Sequence, residues 1–249
     1  MKVAAYQCPL LPSGSMGAIN LIRRRVRSCE SEGVLILCCP EVVLGGLADY
    51  SRDPAGFAID VERGDLDAVL APLASDTVTT IIGFTEIASG SRLYNAAAIL
   101  QNGVVVGLYR KLHPAINKSV YQPGDRLPVF TVGGLTFGIL ICNDSNFPEP
   151  ARIMAAQGAA ALFVPTNNGL PANRAGLEIV MQTRNVDIAR AIDNRVPVIR
   201  ADVAGRAGDL VSHGSSAIVD SGGTVLQSAP PLSETLLVAD IETAPRVRT

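Results

Sequence analysis

Short apolar runs, each closed by polar or turn residues, set the rhythm of this chain. Residues 2–10, 34–39, 77–87, 93–100, 104–109 and 137–141 are rich in aliphatic and β-branched side chains and are bounded by Gly, Pro, Asn, Asp or Ser. That length and those boundaries predict strands buried in a sheet. Between and after them the spacing turns helical. Met16–Glu32 turns its arginines between 23 and 27 to a solvated face and stops at Gly33, while 65–76 and 149–159 read as further helices. The longest helical pattern, 177–194, places Ile179, Val180, Thr183, Val186, Ile188 and Ala191 on one stripe, expected to face inward. Residues 45–64 read as loop and turn, "QNG" at 101–103 reads as a hairpin turn, and 113–125 is too rich in Pro and Gly to be regular. Strands "VPVIRAD", "SSAIVD", "TVLQSA" and "TLLVADI" close the chain. Alternating strands and helices predict an α/β fold with two sheets sandwiched between helix layers.

Composition narrows the function. With 249 residues, 48% hydrophobic and 18% charged, the chain has ample material for one large core, and 1–249 reads as a single domain. A formal charge of −2 gives no electrostatic reason to expect nucleic acid or a membrane surface as partner, and a small-molecule substrate fits better. Five cysteines, with Cys38 and Cys39 adjacent and no CxxC spacing, are not a disulfide framework or a zinc ribbon, so the chain reads as reduced and cytoplasmic. The first apolar run is too short for a signal peptide and no segment reaches membrane-spanning length. Two histidines, His113 and His213, limit both metal binding and a Cys-His pair, so no metal and no cofactor is expected.

Three of the predicted strands deliver reactive side chains at their ends. "LILCCPEVVLGG" (35–46) ends in Glu41, "VVVGLYRKLHP" (104–114) in Lys111 and "FGILICNDSNFPE" (137–149) in Cys142. Side chains emerge from a packed α/β sheet at such ends. A thiol needs a base or a cation to become a nucleophile at neutral pH. Glu41 can take its proton, Lys111 can face charge developing on a carbonyl, and the backbone N–H of Asn143 can complete an oxyanion site. The competing readings are a small buried thiol closing a strand and a solvated lysine. Glu86, late in its strand, reads as an outward-facing residue.

The order Glu41, Lys111, Cys142 resembles the carbon–nitrogen hydrolase (nitrilase) superfamily, with "YNAAAIL", "YQPGD", "ARAIDNRVPVIRADVAG" and "GSSAIVDSGGTVL" in family order. The resemblance implies a four-layer αββα sandwich, a Glu-Lys-Cys catalytic triad and a homodimer or higher homo-oligomer. It also places Asn167 and Asn168 in a substrate-contacting loop. The chain departs from the pattern at Asn117, where many members carry a second glutamate that orients the lysine. "CND" resembles the amidase and carbamoylase branch, yet Ser145 and Asn146 stand where carbamoylases carry two carboxylate-gripping arginines. The implied activity is hydrolysis of a small amide with an uncharged tail through a thioester. An N-carbamoyl substrate is the alternative, gripped by Arg174, Arg184 or Arg206 from another loop. A catalytically impaired binding protein, a Cys-His hydrolase and a zinc hydrolase are the readings from other classes.

Overall fold

A computed structural model describes residues 1–242 of the chain; residues 243–249 of the expected domain lie outside the described residues. The strands are β1 (Lys2–Pro9), β2 (Ile36–Cys38), β3 (Ile59–Asp60), β4 (Thr79–Ala88), β5 (Arg92–Gln101), β6 (Val104–Arg110), β7 (Val129–Val132) and β8 (Leu135–Ile139). After them come β9 (Leu162–Pro165), β10 (Leu170–Pro171), β11 (Val198–Ala201), β12 (Val203–Ala207), β13 (Leu210–Ser212), β14 (Ala217–Val219), β15 (Val225–Ser228) and β16 (Thr235–Asp240). The α-helices are α1 (Ala18–Glu32), α2 (Asp65–Leu70), α3 (Pro148–Ala156) and α4 (Leu177–Asn194).

Two sheets share one core. The larger runs β10-β13-β12-β1-β2-β4-β5-β6, with β16 added on β1 and β3 on β4; the smaller runs β15-β14-β11-β9-β8-β7. Strand alternation explains why both faces of the central strands are apolar. In the larger sheet Val3, Ala5, Ile36, Cys38 and Ile81 point toward Phe137, Ile139 and Val198 of the smaller one. Their neighbours Ala4, Tyr6, Leu37, Ile82 and Phe84 point the other way, onto Ile22 and Val26 of α1 and Leu66 and Leu70 of α2. α3 and α4 cover the outer face of the smaller sheet, with Met154 and Ala191 in its core. The result is the four-layer αββα sandwich that the resemblance implies.

The structure departs from the sequence reading in places, each with a local cause. α2 stops at Leu70 and gives way to a tighter turn over Ala71–Leu73, because Pro72 cannot supply the N–H that a continuing helix needs. The 45–64 segment holds β3, whose Ile59 and Asp60 pair with Glu86 and Ile87. Glu86 is not outward-facing in the solvated sense: it is 1% exposed and accepts from both Nε and a terminal nitrogen of Arg110 at 2.7 and 2.6 Å. α4 buries Asp187, Arg190 and Ala191, and its Leu177 and Met181 are 54% and 68% exposed. Its polar residues face inward because buried partners wait for them there, as the site shows. Among the described residues no helix is long and apolar enough to cross a membrane.

Candidate active site

The strand ends of the two sheets meet at one place. β2 ends at Cys38, and the chain turns through Pro40 to bring Glu41 against the loop after β9: the Glu41 N–H donates to the Thr166 carbonyl at 3.3 Å. That approach requires Gly83 in β4, because a Cβ there would overlap the Pro40 carbonyl and the Glu41 Cα. Lys111 follows β6 and keeps a backbone hydrogen bond to the Asn95 carbonyl at 2.8 Å, which fixes its side chain on the inner face of the sheet.

Glu41 and Lys111 are a buried ion pair, 1% and 4% exposed, with the ammonium donating to Oε1 at 2.5 Å. Two further donors fix the carboxylate. The Asn95 side chain donates to the same Oε1 at 2.7 Å, and the Asn167 N–H donates to Oε2 at 2.9 Å. Burial disfavours the Lys111 ammonium, but the charge and hydrogen bond of Glu41 favour it, and its pKa lies above the ordinary lysine value.

Cys142 opens a short 3-10 turn, Cys142–Asn146, with φ of 45°. A side chain in this left-handed region is strained and needs its surroundings to hold it. Asp144, wholly buried, does much of that. Its carboxylate accepts from the Ile141 N–H at 3.1 Å, the His113 N–H at 2.8 Å and the Tyr109 hydroxyl at 2.8 Å. It thereby ties the turn carrying Cys142 to the segment carrying Lys111. The half-buried thiol is pushed up to about 12, first by burial and then by the Glu41 charge, with Lys111 and Arg200 pulling the other way. It therefore rests as a protonated thiol beside a base. The Asn143 N–H, the first donor after the thiol, meets no acceptor among the described residues.

A cavity of about 110 Å³ opens at Cys142, bounded by Asn146, Asn168, Gln182, Thr183 and Arg200. The remaining sequence candidates sit at different distances from it. Asn168 lines it. Asn146 stands at its rim with its side chain turned to the Asn143 Oδ1 at 2.9 Å, and the Asn143 side chain donates to the His113 carbonyl at 3.1 Å. Asn167 faces Glu41 instead, its amide donating to the Glu41 carbonyl at 3.3 Å. Asn117 is exposed on the 113–125 loop and hydrogen-bonds neither Lys111 nor Glu41. Arg174 and Arg206 are exposed and Arg184 does not line the cavity. His113 stacks on Phe147 with centroids 4.0 Å apart and holds Asp144 through Nδ1 at 3.1 Å. Among the described residues no group of three or more His, Cys, Asp or Glu side chains is placed to hold a metal ion.

The sequence reading missed Asn95, Asp144, Arg200 and Asp202. Arg200, inside β11, is 2% exposed and donates to Asp187 at 2.5–3.0 Å, to the Thr166 hydroxyl at 2.6 Å and to the Ser145 hydroxyl at 2.9 Å. Ser145 in turn donates to the Cys142 carbonyl at 2.7 Å. The signal for all four was a polar residue inside, or just closing, an otherwise apolar strand run.

Comparison with known proteins gives a consistent picture. The family model described as carbon-nitrogen hydrolase matches residues 2–247. The N-carbamoylputrescine amidase of Arabidopsis thaliana is 34% identical over 237 residues, covering 88% of this chain and 79% of that one. A nitrilase of Pyrococcus abyssi is 29% identical over 220 residues, covering 87% and 80%. Among solved structures, an active-site mutant of the amidase from Nesterenkonia AN1, of the nitrilase superfamily, superposes with a TM-score of 0.82 at 24% identity over 96% of this chain and 90% of that one. A second mutant of that amidase, carrying the acetamide moiety of fluoroacetamide covalently on its active-site cysteine, superposes with a TM-score of 0.78 at 23% identity over 96% and 89%.

Proposed function

Because the chain belongs to the carbon–nitrogen hydrolase family and is a hydrolase of C–N bonds, we propose that it cleaves a small uncharged amide by covalent catalysis at Cys142. The observation that carries this reading is the buried Glu41–Lys111 pair set beside a protonated thiol at a strained strand end. Cys142 Sγ attacks the amide carbon as Glu41 takes the thiol proton. The oxyanion forms against the Lys111 ammonium and the Asn143 N–H. Glu41 passes the proton to the leaving nitrogen, ammonia or an amine departs, and a thioester remains. Water then adds to the thioester carbon as Glu41 accepts its proton, the acid leaves, and the thiol is restored. The covalent adduct on the cysteine of the Nesterenkonia amidase supports the choice of nucleophile.

Two features favour a small, uncharged substrate. The cavity is small, about 110 Å³. The guanidinium that borders it, Arg200, is already paired with Asp187, so it offers no free cation to a substrate carboxylate. An N-carbamoyl compound is the second reading, favoured by the likeness to the plant N-carbamoylputrescine amidase. Cys142→Ala is expected to abolish turnover with the fold intact, and Lys111→Ala to lower kcat on the order of 10²–10³-fold. Amidase activity retained in Cys142→Ala would sink the mechanism. A homodimer fits the exposed apolar side chains of the outer helix layer, Ile153 of α3 with Leu177 and Met181 of α4. Sedimentation at micromolar concentration should show a species of twice the chain mass, and monomer alone would count against it.

A further inference from the structure

We infer that Asp202 sets the polarity of the pocket by fixing which way the Asn168 side-chain amide points, so that the substrate must present an N–H to it. This rests on the amidase reading above and adds a positioning residue to it. An asparagine can offer either its oxygen or its NH₂ to a ligand, and its hydrogen-bond partners decide which. Here they decide strongly. Asp202, at the end of β11, is wholly buried and receives five donors. These are the Asn168 N–H at 3.0 Å, the Asn168 Nδ2 at 2.9 Å, the Val203 N–H at 2.8 Å, and the Ser215 N–H and hydroxyl at 3.0 and 2.7 Å. Burial pushes the Asp202 carboxyl up from the usual carboxylate range and the donors around it pull it back; with donors alone on it, both of its oxygens accept.

The consequence falls on Asn168. The Asn168 Nδ2 donates toward the Asp202 carboxylate at 2.9 Å and the Ser215 hydroxyl at 3.2 Å, two acceptors that lie side by side because the hydroxyl gives its own hydrogen to Asp202. Turning the amide over would set two oxygens against each other inside a buried network. Among the described residues no donor meets the Asn168 Oδ1, which is left as an acceptor on a residue that lines the Cys142 cavity. An acceptor held at this point of the wall favours a substrate nitrogen bearing hydrogen, the NH₂ of a primary amide or of a carbamoyl group. It offers nothing to an ester. Sites built around a buried hydrogen-bonding group discriminate strongly against analogues that lack the partner.

The test compares kcat/KM for a small primary amide and for the methyl ester of the same acid. Both share the carbonyl, the thioester and every step after it, so any change in thiol ionisation caused by removing the Asp202 charge cancels in their ratio. Asp202→Asn, which frees the Asn168 amide to turn, is expected to lower the amide-to-ester ratio about tenfold or more. Asn168→Ala removes the acceptor itself and should lower it as much, which decides the matter if the Asp202 variant fails to fold. An unchanged ratio in Asn168→Ala, or in a folded Asp202→Asn, overturns the inference while leaving the amidase reading intact. If the unaltered enzyme hydrolyses neither compound, the amidase reading falls and the inference falls with it.

Discussion

At Cys142, a half-buried thiol whose pKa is pushed up to about 12 holds almost no thiolate at neutral pH, so the proposed mechanism draws its reactivity from Glu41. Two opposite pH profiles follow. In the unaltered protein, alkylation of Cys142 by iodoacetamide should stay flat from pH 7 to 9 if Glu41 removes the proton as the bond forms, as proposed. In Glu41→Gln the base is gone; the rate should drop at pH 7 and then climb about tenfold per pH unit as the small thiolate fraction grows. An inflection near pH 8.5 in both proteins would show an ordinary free thiol and refute the pairing. The strand-end positions of Glu41, Lys111 and Cys142 were legible in the sequence because each closes an apolar run, where period-2 packing releases a side chain into the crevice. Asn95 and Asp144 were not, because their partners, Glu41 for one and Tyr109 and His113 for the other, lie far away in the chain and are brought to them only by the fold. Asn117 shows the reverse case: the family pattern marks its position, yet here it stands in solvent.

The elements are held in register around the site by polar contacts that hydrophobic periodicity does not encode. The stripe expected on α4 was apolar, and the residues that face inward include Asp187 and Arg190, drawn there by Arg200 on β11 and by the carbonyls of the Cys142 turn. Arg200 links three elements at once: α4 through Asp187, the β9 loop through Thr166, and the Cys142 turn through Ser145. Removing one member of a buried ion pair leaves the other charge without solvent, so Arg200→Leu is expected to cost about 3–5 kcal/mol in urea unfolding. The double variant Arg200→Leu with Asp187→Leu should recover a large part of that loss. If the double variant is as unstable as the sum of the singles, the pair is not the linchpin of this layer. The strand pattern itself was readable because the central strands are apolar on both faces. α2 ran shorter than expected where Pro72 intervened.

Across the whole molecule, every cysteine has its thiol pKa raised by burial: Cys8, Cys29 and Cys142 to about 12, with Cys38 and Cys39 also pushed up. The sequence had shown only that five thiols without disulfide spacing were present; that all of them sit in or beside packed layers is a property of the fold. The sign of the pH dependence follows from linkage. An unfolded thiol loses its proton near pH 8.5–9, while the folded ones keep theirs until about pH 12. Above pH 9 the unfolded chain therefore binds fewer protons than the folded one, and stability falls as pH rises through that window; below pH 8 these groups contribute no slope. Each thiol supplies up to about 1.4 kcal/mol per pH unit. The urea midpoint should hold steady from pH 7 to 8 and drop steeply from 9 to 10. Cys29→Ala, on the buried face of α1, lowers the midpoint at neutral pH by creating a small cavity, yet it should flatten the alkaline slope by about one thiol's share. A slope left unchanged by that substitution would mean that the alkaline loss of stability comes from groups other than the buried thiols.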